Sequence, residues 1–340
     1  MSNKNETFEE SFTAARPPDS GAAREHDGPV HPVMRDDGLA PQRPAAQRGR
    51  FALIVNPAAG RHGRFARALA LLSASGLTVK LFPTTARGDA ERLAAAAAAD
   101  GQTEAIIAAG GDGTINEVIN GMAGSGLPLG ILPLGTANVL AWELGIGDRL
   151  ADAAAVIAGR ATRRIHLGRC NGRYFVMMAG VGVDAHVVAA IRPGLKRALG
   201  RVGLGKLTYV LEGLHQIIRL KPARYRITVD GAATEVASAI VANGRFYAGR
   251  YVVATAADLG APLLQVCLLA RSGRLQAARN SLAMVRHRLH LSPDLTVKPG
   301  TAITIDGPAG DPIQADGDVI GHLPASIELA PTTLDLFVPR

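Results

Sequence analysis

Aromatic side chains are scarce in this chain, at 4% of its 340 residues, so Ala, Leu and Val must fill most of the core that its 47% hydrophobic content allows. That length leaves room for two domains. Cysteine is scarcer still. Cys170 and Cys267 lie far apart and match no metal-ligand spacing, which excludes a disulfide framework and points to a reducing compartment. Long apolar runs are missing as well. The stretch from Met1 to Glu10 has no apolar centre for export, and the run 174 to 191 is broken by Asp184 and His186. Neither a signal peptide nor a spanning helix is expected, and the chain reads as cytoplasmic. Acids are outnumbered, 29 against 37 Lys and Arg, and the resulting charge of +8 suits an acidic partner such as a nucleotide or an anionic membrane surface. Nucleic acid is not expected, because the basic residues are not interleaved with aromatics and no recognition motif appears.

What is present is organised around Ala105-Ile-Ile-Ala-Ala-Gly-Gly-Asp-Gly-Thr-Ile-Asn-Glu-Val-Ile-Asn-Gly121. Ile106 and Ile107 lie in an apolar run of strand length, Gly110, Gly111 and Gly113 let the backbone turn with positive φ, and Thr114 is placed to cap a helix over 114 to 123. A helix starting there directs unpaired amides and the positive end of its dipole at whatever sits over the glycines, and a nucleotide phosphate suits that place best. Asp112 stands out, since a carboxylate beside a phosphate calls for a cation between them, which hints at magnesium. A plain strand-to-helix connection does not need an acid flanked by three glycines.

Residues 1 to 49 mix Pro, Arg, Asp, Glu and Gly without periodicity and read as a disordered tail. Order begins with Phe51-Ala-Leu-Ile-Val-Asn-Pro57, a buried strand entering an Asn-Pro turn followed by Arg61, His62 and Arg64. Asn56 either contacts a phosphate or closes the turn through its own backbone. A helix near 62 to 75, a strand from Leu77 to Phe82 and a helix over 89 to 99 are expected next. Thr84 and Thr85, just before that second helix, offer hydroxyls to a nucleotide or serve a structural turn. Leu129 to Ala141 repeats the strand, glycine turn and helix pattern, with Gly135, Thr136 and Asn138 at the turn. Two such turns at neighbouring strand ends would converge on one crevice. A helix over 149 to 159 closes this half.

The texture then changes. Strand-like runs flank Asn171-Gly172 and Asp230-Gly231 as hairpins, 164 to 170 with 173 to 178 and 224 to 229 with 234 to 241. Further runs at 263 to 269, 295 to 298, 301 to 306 and 326 to 338 make the second half mostly antiparallel β, with helices over 205 to 220 and 273 to 289. Gly200-Arg-Val-Gly-Leu-Gly-Lys206 has the spacing of a P-loop, but Leu207 follows where Ser or Thr is needed and no buried strand precedes it, so that motif is rejected. The basic and apolar mixture from Arg192 to Lys206 fits an anionic membrane surface or a solvated basic face. In Ile313-Gln-Ala-Asp-Gly-Asp318 two carboxylates straddle a glycine. They form either a plain turn or an acid placed to accept a hydroxyl proton during phosphoryl transfer.

From about 51 to 338 the chain resembles the diacylglycerol kinase and sphingosine kinase catalytic family, particularly its bacterial soluble lipid kinases. The resemblance rests on Gly110-Gly-Asp-Gly-Thr-Ile-Asn-Glu117, Leu132-Pro-Leu-Gly-Thr-Ala-Asn138, Gly180-Val-Gly-Val-Asp-Ala185 and Asp316-Gly-Asp318 in that order. It implies an N-terminal three-layer α/β domain like that of NAD kinases over 50 to 162, a mostly antiparallel β-sandwich over 163 to 324, and a returning segment at 325 to 340. It also implies ATP as phosphoryl donor with Mg2+, in contact with Asn56, Thr84, Gly110, Gly111, Asp112, Gly113, Thr114, Ile115, Asn116, Glu117, Gly135 and Thr136. Asp318 and Asp316, with Asp112, match the family's catalytic places, and a lipid hydroxyl would be the acceptor at the inner membrane face. Two departures stand out. The family usually has Glu at the place of Asp318, and an Asp-Gly of its metal-binding loop is here Ala261-Pro262, with Asp258 close by. Two alternatives to a lipid kinase are an NAD kinase and a catalytically silent nucleotide-binding or lipid-binding protein.

Overall fold

A computed structural model describes residues 50–59, 63–190 and 223–340. The expected tail, Arg61 and His62, the segment from Arg192 to Lys206 and the helix expected over 205 to 220 lie outside the described residues.

The first half is built on four parallel strands, β1 (Arg50–Val55), β2 (Thr78–Pro83), β3 (Ala105–Gly110) and β4 (Leu129–Pro133), in the order β2-β1-β3-β4. β3 and β4 are buried along their whole length, as strands covered on both faces must be, which is why their sequences are unbroken apolar runs. Five helices supply the cover: α1 (Arg64–Ala74), α2 (Asp89–Ala99), α3 (Asp112–Met122), α4 (Val139–Glu143) and α5 (Leu150–Gly159). Right-handed crossovers put α1 on one face and the packed pair α2 and α3 on the other, giving three layers.

The second half begins with the hairpin of β5 (Thr162–Cys170) and β6 (Arg173–Phe175), followed by β7 (Met178–Val181) and α6 (Val183–Ala190). β8 (Tyr225–Val229) and β9 (Ala232–Val236) form the next hairpin. β10 (Ser238–Ala242) follows, then two short strands, β11 (Phe246–Tyr247) and β12 (Tyr251–Val252), and β13 (Leu264–Leu269). After helix α7 (Arg274–Val285) come β14 (Leu295–Gly300), β15 (Ala302–Asp306), β16 (Pro312–Ala315), β17 (Asp318–His322) and the long β18 (Ala325–Phe337). The run expected as one strand over 234 to 241 is broken at Ala237, and its two parts enter different sheets.

A six-stranded antiparallel sheet, β14-β13-β10-β7-β16-β17, faces β8, β15 and the first part of β18 across a second core that includes Phe175, Tyr225, Ile227, Val266, Ile303 and Ile313. β18 belongs to both halves. Its start pairs with β15, its end pairs with β5, and Leu336 lies parallel to Leu129 of β4, so one ten-stranded sheet runs through the described structure. Both cysteines are free and buried, and burial pushes each thiol up to about 12. No described helix is long and apolar enough to cross a membrane.

Candidate active site

The turn after β3 corrects two sequence expectations. α3 begins at Asp112, with Gly111 as its extended N-cap, so Thr114 sits inside the first helical turn instead of capping it. None of Gly110, Gly111 and Gly113 has positive φ. At Gly110 and Gly111 the lack of a side chain serves close approach. A Cβ on Gly110 would collide with the Thr114 side chain at 2.5 Å, and one on Gly135, in the turn after β4, would lie 2.6 Å from the Gly111 Cα. The two glycine turns therefore touch backbone to backbone, and the Leu134 amide donates to the Gly110 carbonyl at 2.8 Å.

Asp112 holds them in register. Its carboxylate accepts from the Asn138 amide at 3.0 Å and the Val139 amide at 2.7 Å, where α4 starts. The charge that hinted at a cation is thus met by two backbone N–H groups. Burial nevertheless pushes the Asp112 carboxyl above its usual range, and the like charge of Asp316 adds to that, while the amides pull the other way.

Asp316 arrives from the other half. Asp316 and Gly317, with φ of 47° and 82°, form the two-residue turn between β16 and β17, so the plain-turn meaning of Asp-Gly holds for the backbone. The side chain does more. Its carboxylate accepts from the amides of Val176 at 2.8 Å, Met177 at 2.9 Å and Met178 at 3.1 Å, and from Asn116 Nδ2 at 2.9 Å. Burial raises this carboxyl, and the four donors oppose the rise. Asn116 also donates to the Tyr174 carbonyl at 3.1 Å, which ties α3 to β6.

Asp318 is different. It is half-exposed, its Oδ2 lies 3.5 Å from where a Cβ on Gly113 would be, and Arg87 reaches it at 3.4 Å. Of the two acids of the hairpin, Asp318 is the one left facing the glycine turn.

The other expected residues divide. Asn56 closes its own turn and also reaches the glycine turn. Its Oδ1 accepts from the Ala58 amide at 3.0 Å, closing its own turn, and its Nδ2 donates to Thr114 Oγ1 at 3.4 Å. The Thr84 amide donates to the Val55 carbonyl at the end of β1, whereas the Thr85 hydroxyl is taken by Asp89 at 2.6 Å. Glu117 accepts from the Ala90 amide at 3.2 Å and so locks α3 to α2, and Ile115 is buried in the core. Gly135 and Thr136 line a cavity of about 360 Å³ together with Arg64, Trp142, Arg250 and His287. Asp258, near the departing Ala261-Pro262, is engaged by Arg163 and by the Gly260 amide at 2.9 Å. Those contacts hold its carboxyl below the usual range, with the amide as the larger cause. Among the described residues no three His, Cys, Asp or Glu side chains cluster as a metal site.

Sequence reasoning missed Arg87, whose partner is more than two hundred residues away, and Asn243. The Asn243 Nδ2 donates at 2.9 Å to the carbonyls of His166 and of Val176, next to the loop that Asp316 grips. Asp184, in the Gly180 to Ala185 motif, is held by Tyr247 and by Gln314 Nε2, and burial raises its carboxyl.

An acid-flanked glycine turn over a helix N-terminus, closed by a second acid from a β-sandwich, defines a phosphoryl-transfer class of site. The diacylglycerol kinase catalytic domain matches residues 50–170, and the YegS C-terminal NAD kinase beta sandwich-like domain matches residues 178–338. A diacylglycerol kinase of Mycobacterium tuberculosis (strain CDC 1551 / Oshkosh) is 30% identical over 305 residues, covering 86% of this chain and 96% of that protein. One from Bacillus subtilis (strain 168) is 39% identical over 189 residues, which is 54% of this chain and 60% of the relative. A crystal structure of a diacylglycerol kinase from Bacillus anthracis str. Sterne shares the fold, with a TM-score of 0.69 at 24% identity over 87% of this chain and 99% of that one. The chain belongs to the family of diacylglycerol kinases and YegS-like lipid kinases. It is a lipid kinase.

Proposed function

We propose that this lipid kinase transfers the γ-phosphoryl group of ATP to a hydroxyl of a diacylglycerol-like lipid presented at an anionic membrane surface on the cytoplasmic side. The observation that carries the proposal is the Asp318 carboxylate standing over Gly113, at the N-terminal end of α3. An acid there is within reach of a hydroxyl brought against a phosphate lying on the glycines.

The hydrogen bonds support a division of labour. Amides of Gly111, Asp112, Gly113 and Thr114, free of i−4 partners at the helix start, hold phosphate oxygens. Gly111 and Gly135 keep the two turns close, Gly110 makes room for Thr114, and Asn56, Thr84, Ile115, Asn116, Glu117 and Thr136 shape or contact the nucleotide site. Asp316 positions the hairpin by gripping the Val176 to Met178 amides, and Asp112 braces the second turn. Asp318 takes the proton as the lipid oxygen bonds to the γ-phosphorus and the bond to the ADP oxygen breaks. The family's Glu is one methylene longer, so the approach of this hairpin to Gly113 sets how well the shorter acid serves. Asp112 and Asp316 are both desolvated acids, and the charge of Asp316 adds to the rise at Asp112, an arrangement suited to a dication; each Asp112 oxygen has a lone pair beyond its amide bond. Mg2+ bound with ATP would neutralise charge that develops on the phosphates. We assign nucleotide binding to 50–162 with 325–340, and the lipid to 163–324.

The test is transfer from labelled ATP with Mg2+ to lipids in mixed micelles, with NAD as a separate acceptor. A labelled lipid that disappears in Asp318→Asn, while ATP binding persists, supports the assignment. Labelled NADP, or tight ATP binding without any labelled lipid, overturns it.

A further inference from the structure

α7 is apolar on its outward side. A surface helix normally turns its apolar side to the core and its polar side to water. Here the side facing the protein packs Ala283 and Met284 on the core beside a buried Asn280, which donates through Nδ2 to Asp294 Oδ2 at 2.8 Å. The side facing solvent carries Leu275 at 66% exposure, Leu282 at 50% and Val285 at 52%, and Leu291 just beyond the helix is exposed at 68%. With 3.6 residues per turn, Leu275, Ala278, Leu282 and Val285 fall within an arc of about 80°. They form one outward stripe.

Charge frames that stripe. On the same helical spacing Arg279 and Arg286 border one side and Arg274 the other. All three are exposed, and among the described residues none of them pairs with an acid. From 271 to 293 the sequence has five arginines and no Asp or Glu. Exposed leucines between unpaired arginines are the pattern of a helix lying in the headgroup region of an anionic bilayer. A second copy of this chain fits poorly, since a two-fold contact would set arginines against arginines.

The placement adds a reason. His287, at the end of α7, packs its ring on Tyr251 at 5.3 Å, and both line the cavity that Thr136 and Gly135 border. The face and the candidate site are thus neighbours.

We infer that the outer face of α7 together with Leu291 is the surface by which this kinase docks on anionic lipid bilayers. The inference rests on the lipid-kinase assignment only for the choice of a bilayer as partner. Docking itself needs neither ATP nor catalysis, so the two can fail separately.

The experiment is flotation of the full chain with vesicles of phosphatidylglycerol and phosphatidylcholine, and of phosphatidylcholine alone, without nucleotide. The wild type should bind the anionic vesicles and lose them in high salt. Arg279→Gln with Arg286→Gln should weaken binding about 30-fold, at about 5-fold per arginine. Leu275→Ser with Leu282→Ser should weaken it about tenfold or more. All four positions are exposed, so thermal unfolding should not move, and turnover of a short-chain diacylglycerol below its micelle concentration should be kept. Wild-type binding by both double variants, or no vesicle binding by the wild type, overturns the inference. So does a wild-type dimer that the leucine variant converts to a monomer.

Discussion

Asn116 and Asp316, two hundred positions apart, are joined by a 2.9 Å hydrogen bond from Nδ2 to Oδ2. The bond fastens the β16–β17 hairpin to α3, and three backbone amides on the same carboxylate fasten it to the segment that leads into β7 and to the first residue of that strand. Asp316→Ala would strand all four donors in a site with little water to replace the lost acceptor. We expect a loss of about 3 kcal/mol or more in urea unfolding, together with loss of activity. Asp316→Asn keeps the shape but turns an N–H2 toward donors, and should recover only part of the stability.

Asp318→Asn should behave in the opposite way. The side chain is half-exposed, and among the described residues its close charged partner is the exposed Arg87. Removing that charge should leave the unfolding midpoint unchanged, while kcat falls by about 10²–10⁴ and the Kd for ATP is kept. Asp318→Glu, which restores the family's usual residue, should retain measurable turnover. Equal loss of stability and turnover in Asp318→Asn would move the acid from catalysis to architecture.

Two glycine substitutions should separate packing from binding. Alanine at 135 would bring its Cβ within 2.6 Å of the Gly111 backbone, which cannot yield cheaply, so a destabilisation of about 1–3 kcal/mol is expected. Alanine at 113 meets only Asp318 Oδ2 at an ordinary 3.5 Å and lies in a helix, where it should add about 0.5 kcal/mol of stability. The same methyl group would occupy the place given to the phosphate. ATP affinity by calorimetry should therefore fall about tenfold or more in Gly113→Ala although the protein is more stable.

The pH dependence of stability should have two limbs. Asp112 and Asp316 titrate above the usual carboxylate value of 3.8 when folded, so the folded state binds protons more readily than the unfolded one. Unfolding free energy should therefore rise as pH falls through their raised values toward 3.8. Asp100, Asp230 and Asp258 are held below 3.8, Asp100 and Asp230 mainly by backbone amides, and their contribution is lost only as pH falls below that value. Denaturation of the wild type from pH 7 down to 3 should show the rise and then the fall. Asp112→Asn should shrink the upper limb, to which Asp184 and Asp316 also contribute, and leave the lower one.

The elements that announce themselves locally were legible in the sequence. β3 and β4 read as strands because they are unbroken apolar runs, and the Asn171-Gly172 and Asp230-Gly231 hairpins because each pair adopts positive φ at both residues. The start of α3 was misplaced by two residues, since Thr114 looks like a cap but Gly111 takes that role with no side-chain bond. The break at Ala237 was invisible because the run from Ala232 to Ala242 holds no Gly, Pro, Asn or Asp to mark a turn. In the site, Asp112, Asp316 and Asp318 were found by type and spacing, yet their different surroundings were not. The donors on Asp316 are backbone amides, which leave no mark in side-chain identity, and the Arg87 pair depends on how the two halves close.

β18 carries a consequence for how this protein is made. Leu336 pairs with Leu129, so the open side of β4 waits for a partner synthesised roughly 200 residues later. On the ribosome the nucleotide half exists for many seconds as a sheet with a bare hydrogen-bonding edge, the kind of edge that recruits other chains. Deleting β18 should therefore yield aggregates instead of a smaller working kinase.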